Sequence, residues 1–260
     1  MAPEQDISER RRQALQVILA KGFIPLGELA SAFNVSESTA RRDLEVLEQS
    51  GSIRRTYGGV VSLAEPPASR LGFVDREATA VAEKRAIAAA VAGRIADNQA
   101  VIIDGGTTCY RLAEALAGRR LSVITNSVPI AALLGAEVAT EVTLLGGYLY
   151  PRTGVTLGAA ALEMLASLRA AQLVMSCAAV NADGIFNVNE MMTAVERRMA
   201  EVSDEVILAA DHTKFGKRAI ARQCEWADVD VVVTDAGLDE PARQWLDGLG
   251  VKVIVAEESL

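Results

Sequence analysis

The chain has 260 residues, half of them hydrophobic and only 4% aromatic, and its formal net charge at pH 7 is −8. A membrane-spanning helix needs about 18 consecutive apolar residues, and no apolar run in the sequence is that long. The charged segment "PEQDISERRR" near the N-terminus lacks the apolar stretch of a signal peptide. The three cysteines lie far apart and the only histidine is His212, which argues against disulfides and a metal site. These properties predict a cytoplasmic α/β protein with no metal and no cofactor. A chain of this length forms one large domain or, more often, two.

Charge is distributed unevenly along the chain. The first 62 residues carry eight basic and eight acidic residues and are neutral, so the whole negative excess lies in the remaining part. An acidic total argues against non-specific affinity for nucleic acid, but it allows a local basic face.

Residues 1–62 show the pattern of three short helices followed by a hairpin. Apolar residues at helical spacing predict a first helix over residues 10–20, and Pro25 marks the start of a second helix, "LGELASAF". Asn34 and Val35 form a tight turn, Ser36 is a good N-cap, and the third helix ends at Gly51. Two short helices joined by a tight turn predict a helix-turn-helix.

The third helix and the hairpin carry the candidate DNA-binding residues. The N-terminal half of such a helix enters the major groove, where small polar side chains and arginines contact base edges and phosphates. Strand-like residues 53–57 and 60–63 around Gly58-Gly59 predict a hairpin, or wing, whose arginines reach phosphate or the minor groove. The alternative is a small helical bundle with solvated arginines. The predicted DNA contacts are Ser36, Ser38, Thr39, Arg41, Arg42, Arg54 and Arg55.

The stretch "LGELASAFNVSESTARRDLEVLEQSGSIRRTYGGVV" closely resembles the DNA-binding domain of the DeoR family of bacterial transcriptional regulators. The shared pattern is a valine-serine turn, then Thr-x-Arg-Arg-Asp-Leu, then a wing ending in Gly-Gly. The resemblance implies that the partner is double-stranded operator DNA. Because two recognition helices are needed to read spaced half-sites, a homodimer or homotetramer is expected.

Pro66-Pro67 within "AEPPASRLG" predicts an extended linker over residues 63–72, which separates residues 1–62 from a larger domain, 73–260. An Ala/Val/Ile-rich helix over residues 83–95 opens that domain. Alternation with helical segments predicts right-handed βαβ units and a largely parallel sheet covered on both faces. The strand-like apolar runs are 99–104, 121–125, 141–145, 172–178, 205–210, 229–234 and 251–256.

Polar or glycine residues follow five successive strands, and ligands of parallel sheets bind beyond the carboxyl ends of the strands. After the first strand, two glycines and a helix N-terminus form a cradle for an anion, with added threonine hydroxyls. Asp104 has the wrong charge for a phosphate and is expected in the turn or at a sugar hydroxyl. The predicted ligand residues are Asp104, Gly105, Gly106, Thr107, Thr108, Thr125, Asn126, Ser127, Gly146, Gly147, Asp183 and Lys214.

Each of these positions also has a plain structural alternative. Gly105-Gly106 can be an ordinary turn, residues 125–127 can be a helix cap, and Lys214 can be a solvated loop residue. The motifs GxGxxG and GxxxxGK[ST] are absent, which argues against dinucleotides and ATP.

The larger domain resembles the effector-binding part of the same family in "DGGTT", "TNSVPIA", "LLGGYL" and "VILAADHTKFG". That part looks like the ribose-5-phosphate isomerase fold. The resemblance implies a repressor of a carbohydrate-catabolism operon whose effector is a phosphorylated sugar, its phosphate held by the "DGGTT" loop with help from Lys214. The region "SCAAVNADGIFNVNEMMTAVERR" departs from the usual pattern, which has a glycine-rich run followed by Gly-Leu-Thr, and this departure affects the sugar half of the pocket.

Sugar-phosphate isomerisation is the alternative function, because it needs a base that moves a proton between adjacent carbons. Asp183 and Glu196 are the available carboxylates. The glycine-rich loop that would follow the isomerase acids is absent, so the sequence predicts a regulator with no catalytic residue.

Overall fold

The computed structural model describes residues 10–15, 17–18, 23–49, 53–56, 59–62 and 73–257. The chain divides into two compact units, Met1–Arg70 and Leu71–Leu260. The predicted linker, 63–72, lies outside the described residues, so the domain boundary stays a prediction. Within the described ranges, no helix has both the length and the apolar character needed to cross a bilayer.

The N-terminal unit is a winged helix-turn-helix, as predicted. Its helices are α1, described over residues 10–15 and 17–18, α2 (Leu26–Ala32) and α3 (Glu37–Gln49). Its strands are β1 (Phe23–Pro25), β2 (Ile53–Thr56) and β3 (Gly59–Ser62), which form an antiparallel sheet in the order β1-β3-β2.

Two details of this unit differ from the prediction. Strand β1 was not foreseen, because it has three residues and gains its partners only by pairing with β3. Gly59 is the first residue of β3 and pairs with Thr56, so Gly59 belongs to a strand and not to the predicted Gly58-Gly59 connection. The core of the unit is apolar throughout and consists of Ala14, Ile18, Ile24, Leu29, Leu44, Leu47, Ile53 and Val60.

The C-terminal unit alternates helices and strands. Its helices are α4 (Phe73–Glu77), α5 (Val81–Ala92), α6 (Thr107–Leu116), α7 (Val128–Leu134), α8 (Ala159–Ala166), α9 (Glu190–Glu201) and α10 (Glu240–Leu249). Its main strands are β4 (Ala100–Ile103), β5 (Leu121–Thr125), β6 (Thr140–Leu144), β9 (Ala170–Met175), β12 (Ser203–Ala209), β14 (Val231–Asp235) and β15 (Lys252–Ala256). Shorter strands are β7 (Tyr148–Tyr150), β8 (Val155–Leu157), β10 (Ala179–Asn181), β11 (Gly184–Asn187) and β13 (Ala221–Cys224).

The seven main strands form one parallel sheet in the order β15-β14-β12-β9-β4-β5-β6. Each corresponds to one of the seven predicted apolar runs. The centre of the sheet is buried on both faces, because Val101 and Ile103 of β4 pack in one apolar cluster and Ile102, between them, packs in the other. The chain runs outward in one direction from β4 and in the other from β9, so these neighbours form the topological switch point of the sheet.

The fourth predicted strand, 172–178, was placed too far along the chain. Strand β9 ends at Met175, and Ser176 is therefore the residue that leaves the sheet beside the "DGGTT" loop. The segment "VNADG" does not follow a strand of the main sheet. It belongs to the hairpin of β10 and β11, which with β13 forms a separate antiparallel sheet.

Candidate functional site

The exposed face of α3 carries the predicted DNA-reading residues. Ser38, Arg41 and Arg42 are exposed and Thr39 is half-buried, whereas Ala40, Leu44 and Leu47 are buried on the opposite side. The Ser36 hydroxyl accepts the backbone N–H of Thr39 at 3.2 Å, so Ser36 acts as the helix cap. In the described part of the chain, neither arginine has an ion pair, which leaves both guanidinium groups open to an external partner.

A buried carboxylate holds α3 in place. Asp43 accepts hydrogen bonds from the Nε atoms of Arg10 and Arg11, both at 2.8 Å, and its side chain is 8% exposed. Two charge-assisted hydrogen bonds therefore join α1 to the recognition helix. The Arg-Arg-Asp-Leu run thus combines two outward arginines with one inward anchor.

The two wing arginines differ in their surroundings. Arg55 donates from Nε to Glu48 at 2.7 Å and from Nη1 to Glu45 at 2.8 Å, so its side chain fastens β2 to α3. Arg54 is exposed and has no ion pair within the described ranges. The geometry therefore favours Arg54 over Arg55 as the wing residue that is available to DNA.

The "DGGTT" segment packs too tightly for any side chain at its two glycines. A Cβ atom on Gly105 would lie 2.2 Å from Cγ1 of Val155, and one on Gly106 would lie 2.3 Å from Oγ of Ser176. Gly106 also has φ +122°, a backbone conformation that side-chain-bearing residues rarely adopt. It is the N-cap of α6 and no side chain caps that helix, so the first N–H groups of α6 lack a side-chain acceptor.

The sheet register places the ends of neighbouring strands beside this loop. Ile103 pairs with Thr125 on one side and with Val174 on the other, so Asp104, Asn126 and the Met175–Ser176 step lie at one edge. Oδ1 of Asn126 is buried with no hydrogen-bond partner, and a Cβ on Gly105 would lie 3.8 Å from it. Within the segment 125–127, the side-chain oxygen of Asn126 is therefore the one that lies beside the loop without a hydrogen-bond partner.

The neighbours of Asn126 are used in the local turn. Oγ1 of Thr125 accepts the N–H of Ser127 at 3.0 Å, and Oγ of Ser127 accepts the N–H of Ile130 at 3.4 Å. Ser127 is the N-cap of α7. The helix-cap interpretation thus accounts for Thr125 and Ser127 but leaves Asn126 unexplained by local structure.

Asp104 of this loop and Glu196 of α9 are both buried carboxyl groups, and the charge of Asp104 acts on Glu196. Each side chain is 2% exposed. Burial raises the pKa of Asp104 to about 7, against the opposing effect of backbone hydrogen bonds from Gly105 and Ser176. Burial, together with the charge of Asp104, raises the pKa of Glu196 well above its ordinary value. A protonated Asp104 does not repel an anion, so the charge objection raised by the sequence is weakened.

Lys214 ends a 3-10 turn, His212–Lys214, after strand β12. Asp211 shapes this turn by accepting the N–H of Thr213 at 3.0 Å and its hydroxyl, and Oδ2 of Asp211 is buried without a partner. His212 is held by Asp235, which accepts from the backbone N–H and contacts Nδ1, both at 2.7 Å. The lone histidine therefore has a structural partner at the end of β14.

Two of the predicted ligand segments lie in surroundings that explain them structurally. A Cβ on Gly147 would lie 2.3 Å from the carbonyl oxygen of Leu157, so Gly147 allows the close packing of this segment on β8. The N–H of Gly146 contacts the sulfur of Met164 on α8. Asp183 is exposed in the turn between β10 and β11, where its N–H bonds Oδ1 of Asn181. The isomerase alternative thus has one candidate base on an exposed turn and the other, Glu196, buried.

Sequence reasoning missed Ser176 and Lys84. Ser176 donates to the carbonyl of Gly105 at 2.9 Å and lines Gly106. Lys84 lies in the segment predicted as an Ala/Val/Ile-rich helix. It is buried, and its Nζ donates to the carbonyls of Arg76 and Thr79, each at 2.6 Å. Burial lowers the pKa of Lys84 to about 8, and the charge of Lys214 acts in the same direction. A lysine in an otherwise apolar helical face was the available signal.

The raised pKa of Asp104 predicts a pH-dependent stability. Because the folded state binds this proton more tightly than the unfolded chain does, the free energy of unfolding decreases as pH rises from about 4 to about 7. We expect Asp104→Asn to make that decrease less steep, as measured by urea unfolding across the range, while Glu196, whose pKa is also raised, contributes the remainder. The matched control is Asp204→Asn, which makes the same substitution at an exposed carboxyl. An equally steep decrease in Asp104→Asn would contradict the assignment.

Comparison with known families covers both units. A family model described as DeoR-like helix-turn-helix domain matches residues 10–65. A second model, described as DeoR C terminal sensor domain, matches residues 79–236. The recognition helix, the wing and the "DGGTT" loop all fall within these matches.

Individual proteins show the same similarity over most of their length. The chain is 34% identical over 251 residues to the transcriptional repressor AccR of Agrobacterium fabrum, covering 95% of this chain and 97% of that repressor. It is 32% identical over 235 residues to the glycerol-3-phosphate regulon repressor of Escherichia coli K12, covering 88% and 91%. Among solved structures, ribose 5 phosphate isomerase A from Neisseria gonorrhoeae overlaps 52% of this chain and 53% of its own, with a TM-score of 0.39 and 19% identity.

Proposed function

Because the chain belongs to the DeoR family of transcriptional regulators, we propose that it represses a carbohydrate-catabolism operon and that a phosphorylated sugar switches its operator binding. The role as a transcriptional repressor rests on the relatives of the chain, which are named transcriptional repressors and not enzymes. The proposal that a phosphorylated sugar is the effector rests on the site in the C-terminal unit.

The observation that carries the proposal is the glycine cradle at the switch point of the sheet. Gly105 and Gly106 bring the backbone close to any bound group, and the uncapped N-terminus of α6 offers N–H donors and a partial positive charge. Thr107 and Thr108 stand in the first turn of that helix. This set of groups suits a phosphate.

The surroundings of the cradle suit a sugar. Asn126 presents an unpaired buried oxygen, and a protonated Asp104 can donate to a hydroxyl oxygen. Lys214, on its 3-10 turn, supplies a compact positive charge for the phosphate. The name of the Escherichia coli relative, a glycerol-3-phosphate regulon repressor, supports a phosphorylated metabolite as the class of effector.

The operator is read, in this proposal, by Ser38, Thr39, Arg41 and Arg42 on α3, with Arg54 on the wing reaching the backbone. A homodimer or homotetramer presents two such helices to spaced half-sites. The effector and the operator prefer different arrangements of the protein, so each changes the affinity for the other by the same factor.

A paired ligand screen tests the proposal. The full chain is heated with a panel of phosphorylated sugars and with the same sugars lacking phosphate. We expect one or more phosphorylated members to raise the unfolding temperature, because a ligand at 100 times its Kd adds about 2.7 kcal/mol of stability. The unphosphorylated partners should give no shift. A panel in which phosphorylation makes no difference would contradict the proposed ligand class.

A further inference from the structure

Helix α4 is too short to be stable by itself. It has five residues, Phe73–Glu77, and isolated helices shorter than about 12–15 residues are marginal in water. Phe73 is half-buried and belongs to neither of the two apolar clusters on the faces of the main sheet. Helix α4 therefore forms because neighbouring elements hold it, and it can detach without opening the core of the unit.

Helix α6 holds α4 through a ring pair and an ion pair. The rings of Phe73 and Tyr110 meet edge to face, with their centroids 5.4 Å apart. Oε1 of Glu77 lies 3.0 Å from Nη2 of Arg111, whose side chain is only 11% exposed. Both ends of α4 are thus fastened to successive residues of α6.

The C-terminal end of α4 is also capped from α5. The last carbonyl groups of a helix have no partner within the helix. Lys84, which is 2% exposed, donates from Nζ to the carbonyls of Arg76 and Thr79, each at 2.6 Å. This buried lysine therefore stabilises α4 only while α4 remains in its docked position.

The residues of α6 that hold α4 lie one turn after the glycine cradle. Tyr110 and Arg111 stand three and four residues after Thr107, the first residue of α6, and this spacing places them beside it on one face. An anion at the cradle binds the first N–H groups of α6 and orders the turn on which α4 rests. In the other direction along the chain, α4 is the first described helix after the predicted linker, 63–72.

We propose that α4 is a latch between the effector cradle and the DNA-binding unit, docked on α6 when the cradle is occupied and released when the operator is bound. The inference rests on the proposed function and names the element that regulates its site. A helix of this length supplies two discrete states, because it is either docked and helical or neither. Since effector and operator favour opposite states, each weakens the binding of the other by the same factor.

Hydrogen exchange of the full chain, measured by mass spectrometry, tests the latch without any effector. The probe is a DNA duplex that the protein selects from a random library. We expect the backbone N–H groups of residues 73–79 to exchange faster in the duplex complex, by about 5- to 150-fold. The N–H groups of α10 serve as the internal reference and should exchange at the same rate with and without duplex.

Two variants remove different partners of the same arginine. Arg111 also pairs with Glu114 on α6, at 2.7 Å, so Glu114→Gln is the matched control for Glu77→Gln. In the variant that combines Phe73→Ala with Glu77→Gln, residues 73–79 should exchange at the released rate whether or not duplex is bound. A phosphorylated sugar from the paired screen should no longer change the operator Kd of that variant, whereas Glu114→Gln should respond like the parent.

Other results overturn the latch. Exchange of residues 73–79 that is equal or slower in the duplex complex would reject it, while the proposed function would stand. An operator Kd of the combined variant that responds to the sugar phosphate like the parent's would reject it as well. A lower urea midpoint of the combined variant would show that α4 is a fixed part of the fold and not a releasable one. The paired sugar screen decides the proposed ligand class separately, because the exchange measurement uses no sugar.

Discussion

Replacing Arg41 and Arg42 together with alanine strongly weakens specific operator binding and leaves the folded N-terminal unit intact. Both side chains are exposed on α3 and neither has an ion pair among the described residues. Each specific contact of this kind contributes about 10- to 100-fold in affinity, so the double variant loses about 100-fold or more. The measurement is fluorescence anisotropy with a duplex selected by the protein from a random library.

A charge-matched control separates recognition from bulk electrostatics. Replacing Arg85 and Arg120 together with alanine removes the same two charges from exposed positions of the C-terminal unit, and this variant should bind the duplex like the parent. Binding by the parent should weaken steeply with salt despite the net charge of −8, and each lost phosphate contact lowers the slope by about 0.9. If the Arg41/Arg42 double variant bound the duplex with the parent's affinity, α3 would not be the helix that recognises the operator.

Gly106→Ala destabilises the C-terminal unit and removes the response to the effector. Gly106 has φ +122°, and its new Cβ would lie 2.3 Å from Oγ of Ser176. The backbone conformation costs about 1–3 kcal/mol in a residue with a side chain, and the overlap adds about 1–3 kcal/mol more. Relief of the overlap moves the first turn of α6, so its N–H groups no longer face the anion.

Gly158→Ala is the matched control for this loop. Gly158 is also a helix N-cap at positive φ, +97°, but no atom lies within 4 Å of its Cβ position. Urea unfolding should therefore show only the backbone cost at Gly158 and a larger loss at Gly106. A phosphorylated sugar identified by the paired screen should stabilise Gly158→Ala and not Gly106→Ala. Equal behaviour of the two variants would show that the close packing at Gly106 has no role in ligand binding.

The main sheet was predictable because a strand covered on both faces leaves a continuous apolar signal. Runs such as Val101–Ile103 and Val231–Val233 mark their strands without any partner being known. The order of the strands was not predictable, since pairing of β4 with β9 depends on contacts between residues about 70 positions apart. Short strands such as β10, with three residues, carry too little pattern, and this misplaced "VNADG".

The site shows the same division between local and tertiary information. The glycine turn at Gly105 and Gly106 and the helix cap at Ser36 are local features, so they could be predicted from the sequence. The ionisation of Asp104 and the burial of Lys84 depend on what packs around them. The ion pairs of Arg55 depend on which carboxylates the fold brings near, and no spacing rule reports that.

The measurement that tests the account most directly is the operator affinity of the full chain with and without a phosphorylated sugar that stabilises it. We expect saturating sugar phosphate to change the operator Kd by about 5- to 150-fold, and saturating operator to change the sugar Kd by the same factor. Lys214→Ala should keep its operator affinity and lose the response. An operator Kd that stays constant while the sugar phosphate is bound would contradict the account.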